Sequence, residues 1–515
     1  MTPHVPEESV APANRRSWVA LAVLALPTLL LSIDVSMLYL ALPQLTAELR
    51  PSATELLWTT DVYGFMIAAF LIPMGAIGDR IGRRRLLLIG AAAFGLTSVV
   101  AAYATTPATL ILARALLGIA GATLMPCTLG LISDIFRVQR QRQVAIGVWA
   151  ACFSGGVTVG PVVGGLMLDR FWWGSVFLLG VPVMALLLIA GPILLPAASG
   201  PRSGRVDALS VVLSVTAIMT LVYGIKALAA HGVALVPLIS LLAGAVCGVV
   251  FVRRQRALES PMLDLSLFTR REFSVALTVL LFALAAMGGA NLFIAQYLQL
   301  VVGLSPLAVG LWLLVPSAVL MVSALTAPLL AHRIHPGRVI GFALIVTVVG
   351  YLMVTRVPSR DGLPLLLVAL TVVHVGLGPI MSLGTDLVVG SAPPEKAGAA
   401  SAASETSSEL GLSSGIATLG TLGTVVYRDQ LPEAPPAGVP VEAMTGARET
   451  LAAGIELAEQ LPEQAGVILI AAARDAFTDS MAAVVLVSAG ITASLAVMSL
   501  IVFARRPVSS SLAKR

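Results

Sequence analysis

Apolar runs long enough to cross a bilayer recur fourteen times along this 515-residue chain, and no other feature constrains its fold as strongly. A helix needs about 20 apolar residues to cross the hydrocarbon core, where every backbone polar group must find its partner within the segment. Runs at 17–42, 56–77, 86–104, 109–132, 143–168, 174–196, 206–228, 233–252, 273–300, 305–330, 339–356, 363–390, 397–427 and 480–504 qualify. With 57% hydrophobic and 11% charged residues, the chain has too little polar surface to cover a soluble fold. The reading is an all-α membrane protein.

The charges test that count. With the N-terminus on the cytoplasmic side, 23 of the 32 Lys and Arg fall inside, eight fall outside and Arg114 lies within a span. The inner group includes Arg15, Arg16, Arg83–Arg85, Arg137, Arg140, Arg142, Arg253, Arg254, Arg256, Arg270, Arg271, Arg505 and Arg506. A wrong count would scramble this alternation, so the positive-inside rule favours an even number of spans with both termini cytoplasmic. The net charge of +5 then reflects topology and not a nucleic-acid partner. The first run is longer than a signal core and lacks a small-residue cleavage site, so it reads as a retained span. Cys127, Cys152 and Cys247 all fall in apolar runs without metal-ligand spacing and read as packing residues.

The spans group as six, two and six. Residues 1–16 form a cytoplasmic tail, 17–196 a first six-helix bundle, 197–272 an inserted pair of spans with a basic linker, 273–504 a second bundle and 505–515 a cytoplasmic tail. Segment 428–479 reads as an extracellular loop or hairpin: Pro-rich at first, helix-like from about Val441 to Phe477, with nine acids against three bases. The inner loop of the second half, from Pro328 to Arg338, looks like a diverged copy of the loop between spans two and three: it keeps Arg333 and Arg338 but has His332, His335 and Pro336 around the position equivalent to Asp79.

Carboxylates inside spans are expensive and mark function by default. Asp34 lies in the first span, Asp61 in the second, and Glu405 and Glu409 in the thirteenth. At 1.5 Å per residue, Asp34 sits roughly 25 Å from the cytoplasmic start of its helix, Glu405 about 12 Å deep and Glu409 about 18 Å. The two glutamates are one turn apart on one face. Arg114 cannot readily shed its charge, so it requires a partner, a wet cavity or a short reach to the interface. Asp386, near the inner end of span twelve, reads as interfacial.

Three motifs complete the pattern. Gly75-Ala76-Ile77-Gly78-Asp79-Arg80-Ile81-Gly82-Arg83-Arg84-Arg85 links spans two and three; its glycines permit a tight turn, and Asp79 set among cations reads as a latch between alternative packings. Arg114 is followed by Gly118, Gly121 and Ala122 in span four. Span five carries Gly147, Gly156, Gly160, Pro161, Gly164 and Gly165; the four-residue spacing of Gly156, Gly160 and Gly164 makes one flat face for close helix approach, and Pro161 favours a bend.

In that order and on those helices, the motifs resemble those of the major facilitator superfamily. Fourteen spans, Leu57-Trp58 and Asp61-Val62-Tyr63, and the segment from Ala397 through Glu405 and Glu409 to Gly415 narrow the resemblance to its fourteen-helix drug:proton antiporters, in the branch of quaternary-ammonium and dye exporters. The resemblance covers essentially the whole chain. It implies a major facilitator fold of two six-helix bundles plus two inserted helices, with the span-five glycines sealing the bundles against leak during exchange. It also implies a secondary transporter and not an enzyme, exporting lipophilic, cationic compounds in exchange for protons from a bacterial cytoplasmic (inner) membrane. Asp34 and Asp61 would take substrate and proton roles, Glu405, Glu409 and Arg114 would contribute to recognition or coupling, and Trp58, Tyr63 and Phe153 would offer aromatic surface. Trp149, Tyr297 and Trp312 are further aromatic candidates. Such a protein needs no cofactor and no metal, takes its energy from the proton gradient, meets membrane lipids and no nucleic acid, and functions as a monomer. The competing reading is a dedicated exporter of an endogenous natural product or lipid-like metabolite. No metal cluster, nucleophile elbow or phosphate loop supports an enzyme.

Overall fold

The structure, a computed structural model, describes residues 14–196, 207–231, 234–258, 265–331, 333–392, 397–432, 434–436 and 438–503. The expected tails, the stretch after Pro196 that includes Arg202 and Arg205, His332 and Lys396 lie outside these residues. Among the described residues there is no strand. Fourteen helices are long and apolar enough to cross a membrane.

The first half contains α1 (Arg15–Leu49), α2 (Ala53–Ile81), α3 (Arg83–Ala102), α4 (Pro107–Ile135), α5 (Gln139–Arg170), and a sixth span broken into α6 (Ser175–Leu178) and α7 (Gly180–Leu194). The inserted pair is α8 (Ala208–His231) and α9 (Leu235–Ala257). The second half contains α10 (Arg271–Gln296), extended by a π-helical turn at Tyr297–Val301, then α11 (Pro306–Ala331), α12 (Pro336–Val354), α13 (Leu363–Gly390), α14 (Ala397–Gln430), a hairpin of α15 (Val441–Glu449) and α16 (Leu451–Ala458), and α17 (Glu463–Phe503).

Packing repeats between the halves. In the first, α1 pairs with α5 and α7, α4 with α2 and α3, and α3 with α7; in the second, α10 pairs with α14 and α17, α13 with α11 and α12, and α12 with α17. Two seams join them, α2 against α14 and α5 against α11, each the pseudo-symmetric copy of the other. The inserted helices pack on each other, and α8 lies over the first seam, where Phe65, Val222 and Ala417 bury a small apolar cluster.

We call the end that carries the start of α1 the basic face and the opposite end the hairpin face. At the basic face, α2 runs through to Ile81, so Gly75, Gly78 and Arg80 are helical; the turn is made by Gly82 alone, at φ 98°, ψ 124°, a conformation that a side chain disfavours. This shortens the expected loop between spans two and three to one residue. The motif arginines act as helix-end donors: Arg83 donates to the Gly130 carbonyl (2.9 Å) and pairs with Asp134 (3.1 Å) at the end of α4, and Arg84 donates to the Leu195 carbonyl (3.1 Å) just past α7. Orphan C-terminal carbonyls and a negative helix end favour such cations. These partners of both arginines lie in the first half. The Asp79 side chain lies outside the described structure. In the equivalent place in the second half, the His335 ring accepts from the Gly337 N–H and caps α12.

At the hairpin face the sequence expectation needs one correction. The last helix begins at Glu463 and not near 480, because 463–479 continue the helical pattern without a breaker, so the hairpin is confined to α15 and α16. Tyr427 ties it to α14 by donating to the Ala447 carbonyl (2.8 Å), while Arg50 at the end of α1 pairs with Glu456 on α16 at 2.6 Å.

Candidate functional site: a charged cluster between the halves

Arg114 lies on α4 and is 1% exposed, so it does not reach for the membrane surface. Its Nη1 donates to an Asp34 carboxylate oxygen at 2.9 Å, and its Nε to the Thr59 carbonyl at 3.4 Å. The guanidinium lies 4.3 Å from the Tyr63 ring centroid and 5.8 Å from that of Phe177. A planar, permanently charged group held by a carboxylate and two aromatic faces satisfies the requirement for a partner in low dielectric. The pair joins α1 to α4 within the first half.

Asp61 is fully buried on α2, between Trp58 and Tyr63 in sequence. Tyr39 on α1 feels the charges of Arg114, Asp61 and Glu409, and Tyr63 those of Asp34, Arg114 and Glu409. The α1, α2 and α4 groups and Glu409 of α14 thus belong to one electrostatic cluster spanning both halves. Glu405 stands one turn from Glu409 and acts electrostatically upon it. Among the described residues, no cation or hydrogen-bond donor meets either glutamate.

A small cavity lies in this cluster, lined by Leu38, Tyr39, Thr60, Tyr63, Gly64 and Arg114 from the first half and Glu409, Leu412, Ser413 and Ile416 from the second. The space open to a water centre is about 20 Å³, enough for one or two waters and too small for a drug-sized cation. Tyr39, Gly64 and Ser413 escaped the sequence reading. Gly64 directly follows Tyr63 in a helix that already carries Asp61, and Ser413 is one turn from Glu409, so helical spacing from the acids would have found both.

The span-five glycines divide between two neighbours. Gly156 lies against Leu29 and Ser32 of α1, and Gly164 against Met37 of α1. Gly165 meets Pro306 and Leu307 of α11, while the Pro161 carbonyl lies where a Cβ on Gly310 would be. Gly160 is buried, and Gly147 faces open space. One helix therefore presents one small-residue face to its own half and another across the seam. These crossings, like that of Gly64 with Ser413 and of Gly420 with Leu57, fall at mid-depth or toward the hairpin face.

Of the aromatic candidates, Tyr63 is in the cluster. Trp58 packs at the α8 seam, and Phe153 is partly buried against the core. Trp149 is buried and donates to the Thr128 hydroxyl, Tyr297 donates to the Pro358 carbonyl, and Trp312 is 46% exposed on the apolar outside. Asp386 is exposed near the basic end of α13.

A two-half helical bundle with a buried charge cluster at its centre defines a multi-pass membrane transporter. The family model for the Major Facilitator Superfamily matches residues 24–416, and the chain belongs to that superfamily. It is 41% identical to the multidrug efflux pump LfrA of Mycolicibacterium smegmatis, over 95% of this chain and 97% of that one. It is 35% identical to the methyl viologen resistance protein SmvA of Salmonella typhimurium, over 90% and 93%. Among solved structures, a bacterial homologue of the human lysosomal transporter Spinster, in an inward-facing and unoccupied conformation, superposes with a TM-score of 0.68. That match covers 96% of this chain and 98% of the other at 16% identity, which speaks for the fold alone. The protein is a secondary transporter and not an enzyme.

Proposed function

We propose that this protein is a multidrug exporter that moves lipophilic cations out of the cell in exchange for protons. The observation that carries the reading is the central cluster itself: Asp34, Asp61, Glu405 and Glu409 lie inside spans, and Asp34 is paired with the permanent cation of Arg114. A carboxylate in low dielectric takes either a proton or a cation, so the two ligands compete for it. Competition at a site reached alternately from each side is antiport. Trp58, Tyr63 and Phe153 supply aromatic surface for a flat cation. The names of the relatives, a multidrug efflux pump and a methyl viologen resistance protein, support this substrate class.

In this reading the basic face is cytoplasmic, both termini are inside, the membrane is the bacterial inner one, the working unit is the monomer, and the proton gradient suffices without a cofactor. The seam contacts on the hairpin side then make this the arrangement closed to the outside. Gly82, Arg83 and Arg84 hold the cytoplasmic ends of the first half together while the other side opens, with Asp79 completing the latch. The test is ethidium efflux from proteoliposomes under an imposed pH gradient. The wild type should show gradient-driven transport that Asp34→Asn or Asp61→Asn reduces at least tenfold. A folded wild type that moves no lipophilic cation overturns the reading.

A further inference from the structure

His374 sits midway along α13, and the cluster described above makes no use of it. Of the five histidines in the chain it is the one inside a span: His4 belongs to the N-terminal tail, His231 ends α8, and His332 and His335 precede α12. An ionisable side chain at that depth is costly and marks function by default. Its Nδ1 lies 2.7 Å from the Leu370 carbonyl, an oxygen that only accepts, so Nδ1 carries a hydrogen and the lone pair of the neutral ring is on Nε2. The Ser323 hydroxyl of α11 donates to the His374 carbonyl at 3.1 Å, which fixes the backbone that carries the ring to a neighbouring helix. The residue is half-buried, and Nε2 meets no protein group among the described residues.

His374 shares one helical face with Gly378 and Thr385, four and eleven positions on. Gly378 lies against Leu320, Ser323 and Ala324 of α11, and the Thr385 hydroxyl accepts from Ser404 of α14 at 3.3 Å. That face therefore turns to the gap between α11 and α14, the two helices that meet the first half across the seams. At 1.5 Å per residue, His374 lies about 16 Å beyond Thr385 toward the hairpin face and Ser413 about 14 Å beyond Ser404, which puts the imidazole level with the central cavity. Among the helices packed on α13, α11 holds no titratable residue, α12 holds Arg338 and Tyr351 near its ends, and α10 holds Arg271 and Glu272 at its basic end. On α14, Glu405 and Glu409 lie within the span, and Tyr427, Arg428 and Asp429 lie at its hairpin end.

We propose that His374 is a second proton site, in the second half and apart from the acid cluster, whose Nε2 gives up its proton when a substrate cation occupies the site between the halves. The proposal rests on the antiport reading. A carboxylate exchanges its two ligands by offering both the same oxygens; an imidazole does so by repulsion, because its neutral form tolerates a nearby cation and its charged form in low dielectric does not. Each ligand then weakens the other by the same factor. On substrate binding the Nε2–H bond breaks and the proton leaves to water on the open, basic side. The ring stays neutral with its Nδ1–H on Leu370, so the exchange needs no rearrangement of α13.

The test counts protons without a gradient. Calorimetric titration of the purified full-length protein with tetraphenylphosphonium, repeated in two buffers of different ionisation enthalpy, gives the protons released per cation bound. At mildly acidic to neutral pH, where histidine changes charge, His374→Asn should release fewer than the wild type by a fraction of one proton. The asparagine amide still offers a donor to the Leu370 carbonyl and removes only the titrating atom. A histidine that merely packs would move the thermal midpoint and leave this count unchanged. Equal counts overturn the assignment and leave the antiport reading standing; no release from the wild type with the cation bound overturns both. Should His374→Asn not fold, nitrogen NMR of histidine-labelled protein with His4, His231, His332 and His335 replaced reads the ring directly. Its Nε2 should lose the proton when tetraphenylphosphonium is added at fixed pH. A ring that keeps one charge state from about pH 5 to 8, or that ignores the cation, overturns the proposal.

Discussion

Gly64 on α2 and Ser413 on α14 meet so closely that a Cβ at position 64 would overlap the serine hydroxyl, with the Glu409 carboxylate 3.7 Å away. The closed seam beside the charge cluster thus depends on the absence of a side chain. Interiors at native density do not absorb an added group without displacement. Gly64→Val should force the two halves apart at this level, lengthen the distance between spin labels placed at the exposed Tyr103 and Arg360 of the hairpin face, and lower ethidium efflux at least tenfold. Gly147→Ala, in open space on α5, should leave both unchanged.

The Asp34–Arg114 pair predicts an asymmetry in stability. Removing one member of a buried ion pair costs about 3–5 kcal/mol when the survivor stays charged. Arginine keeps its charge, whereas an orphaned Asp34 can bind a proton. Asp34→Ala should therefore lower the thermal midpoint in detergent more than Arg114→Gln does. The Asp34→Ala/Glu409→Gln double variant, which leaves Arg114 with neither acid, should be the least stable of the three. Equal midpoints for Asp34→Ala and Arg114→Gln would contradict this.

The hairpin adds a weaker bond between the halves. Arg50, the left-handed cap of α1, has a side chain 74% exposed, and that of Glu456 is 31% exposed. Such a pair contributes about 0–1 kcal/mol. Arg50→Ala should thus change the closed-to-open ratio at the hairpin face by no more than about fivefold, and high salt should reproduce the change. Exchange of the charges, Arg50→Glu with Glu456→Arg, should restore it.

How much of this was legible beforehand follows from the range of each interaction. The fourteen spans and the buried acids depend on run length and on the cost of charge in hydrocarbon, both local properties of the sequence. Asp34 and Glu409 stood out on that ground alone. The identity of Arg114's partner depends on how α1 packs on α4, 80 residues apart, and no spacing rule reaches that far. The same holds for Arg83 on the end of α4 and for Arg50 on Glu456. The start of α17 was misplaced for a different reason: Arg474, Asp475 and Asp479 interrupt the apolar run that begins at Ala465, so run length alone starts the span after them, although the helix is continuous from Glu463.

The inserted pair yields the last prediction. Asp207, just before α8, receives two hydrogen bonds from Arg254 of α9, at 2.5 and 2.9 Å, and one from Ser210, which in turn accepts from Gln255. Arg254 first, and Ser210 after it, hold the Asp207 carboxyl well below the usual carboxylate range. Its value is depressed on folding, so the stabilisation is complete above the unfolded value of about 3.9 and fades only as pH falls below it toward the folded value. Across the pH range in which a proton gradient operates, this clasp stays ionised and closed. Asp207→Asn should therefore lower the thermal midpoint by the same few degrees at neutral and mildly acidic pH. The pH dependence of ethidium efflux should keep its shape in that variant, because the groups that titrate during transport lie in the central cluster and not at the base of α8. A displaced pH profile would show that the inserted helices take part in coupling.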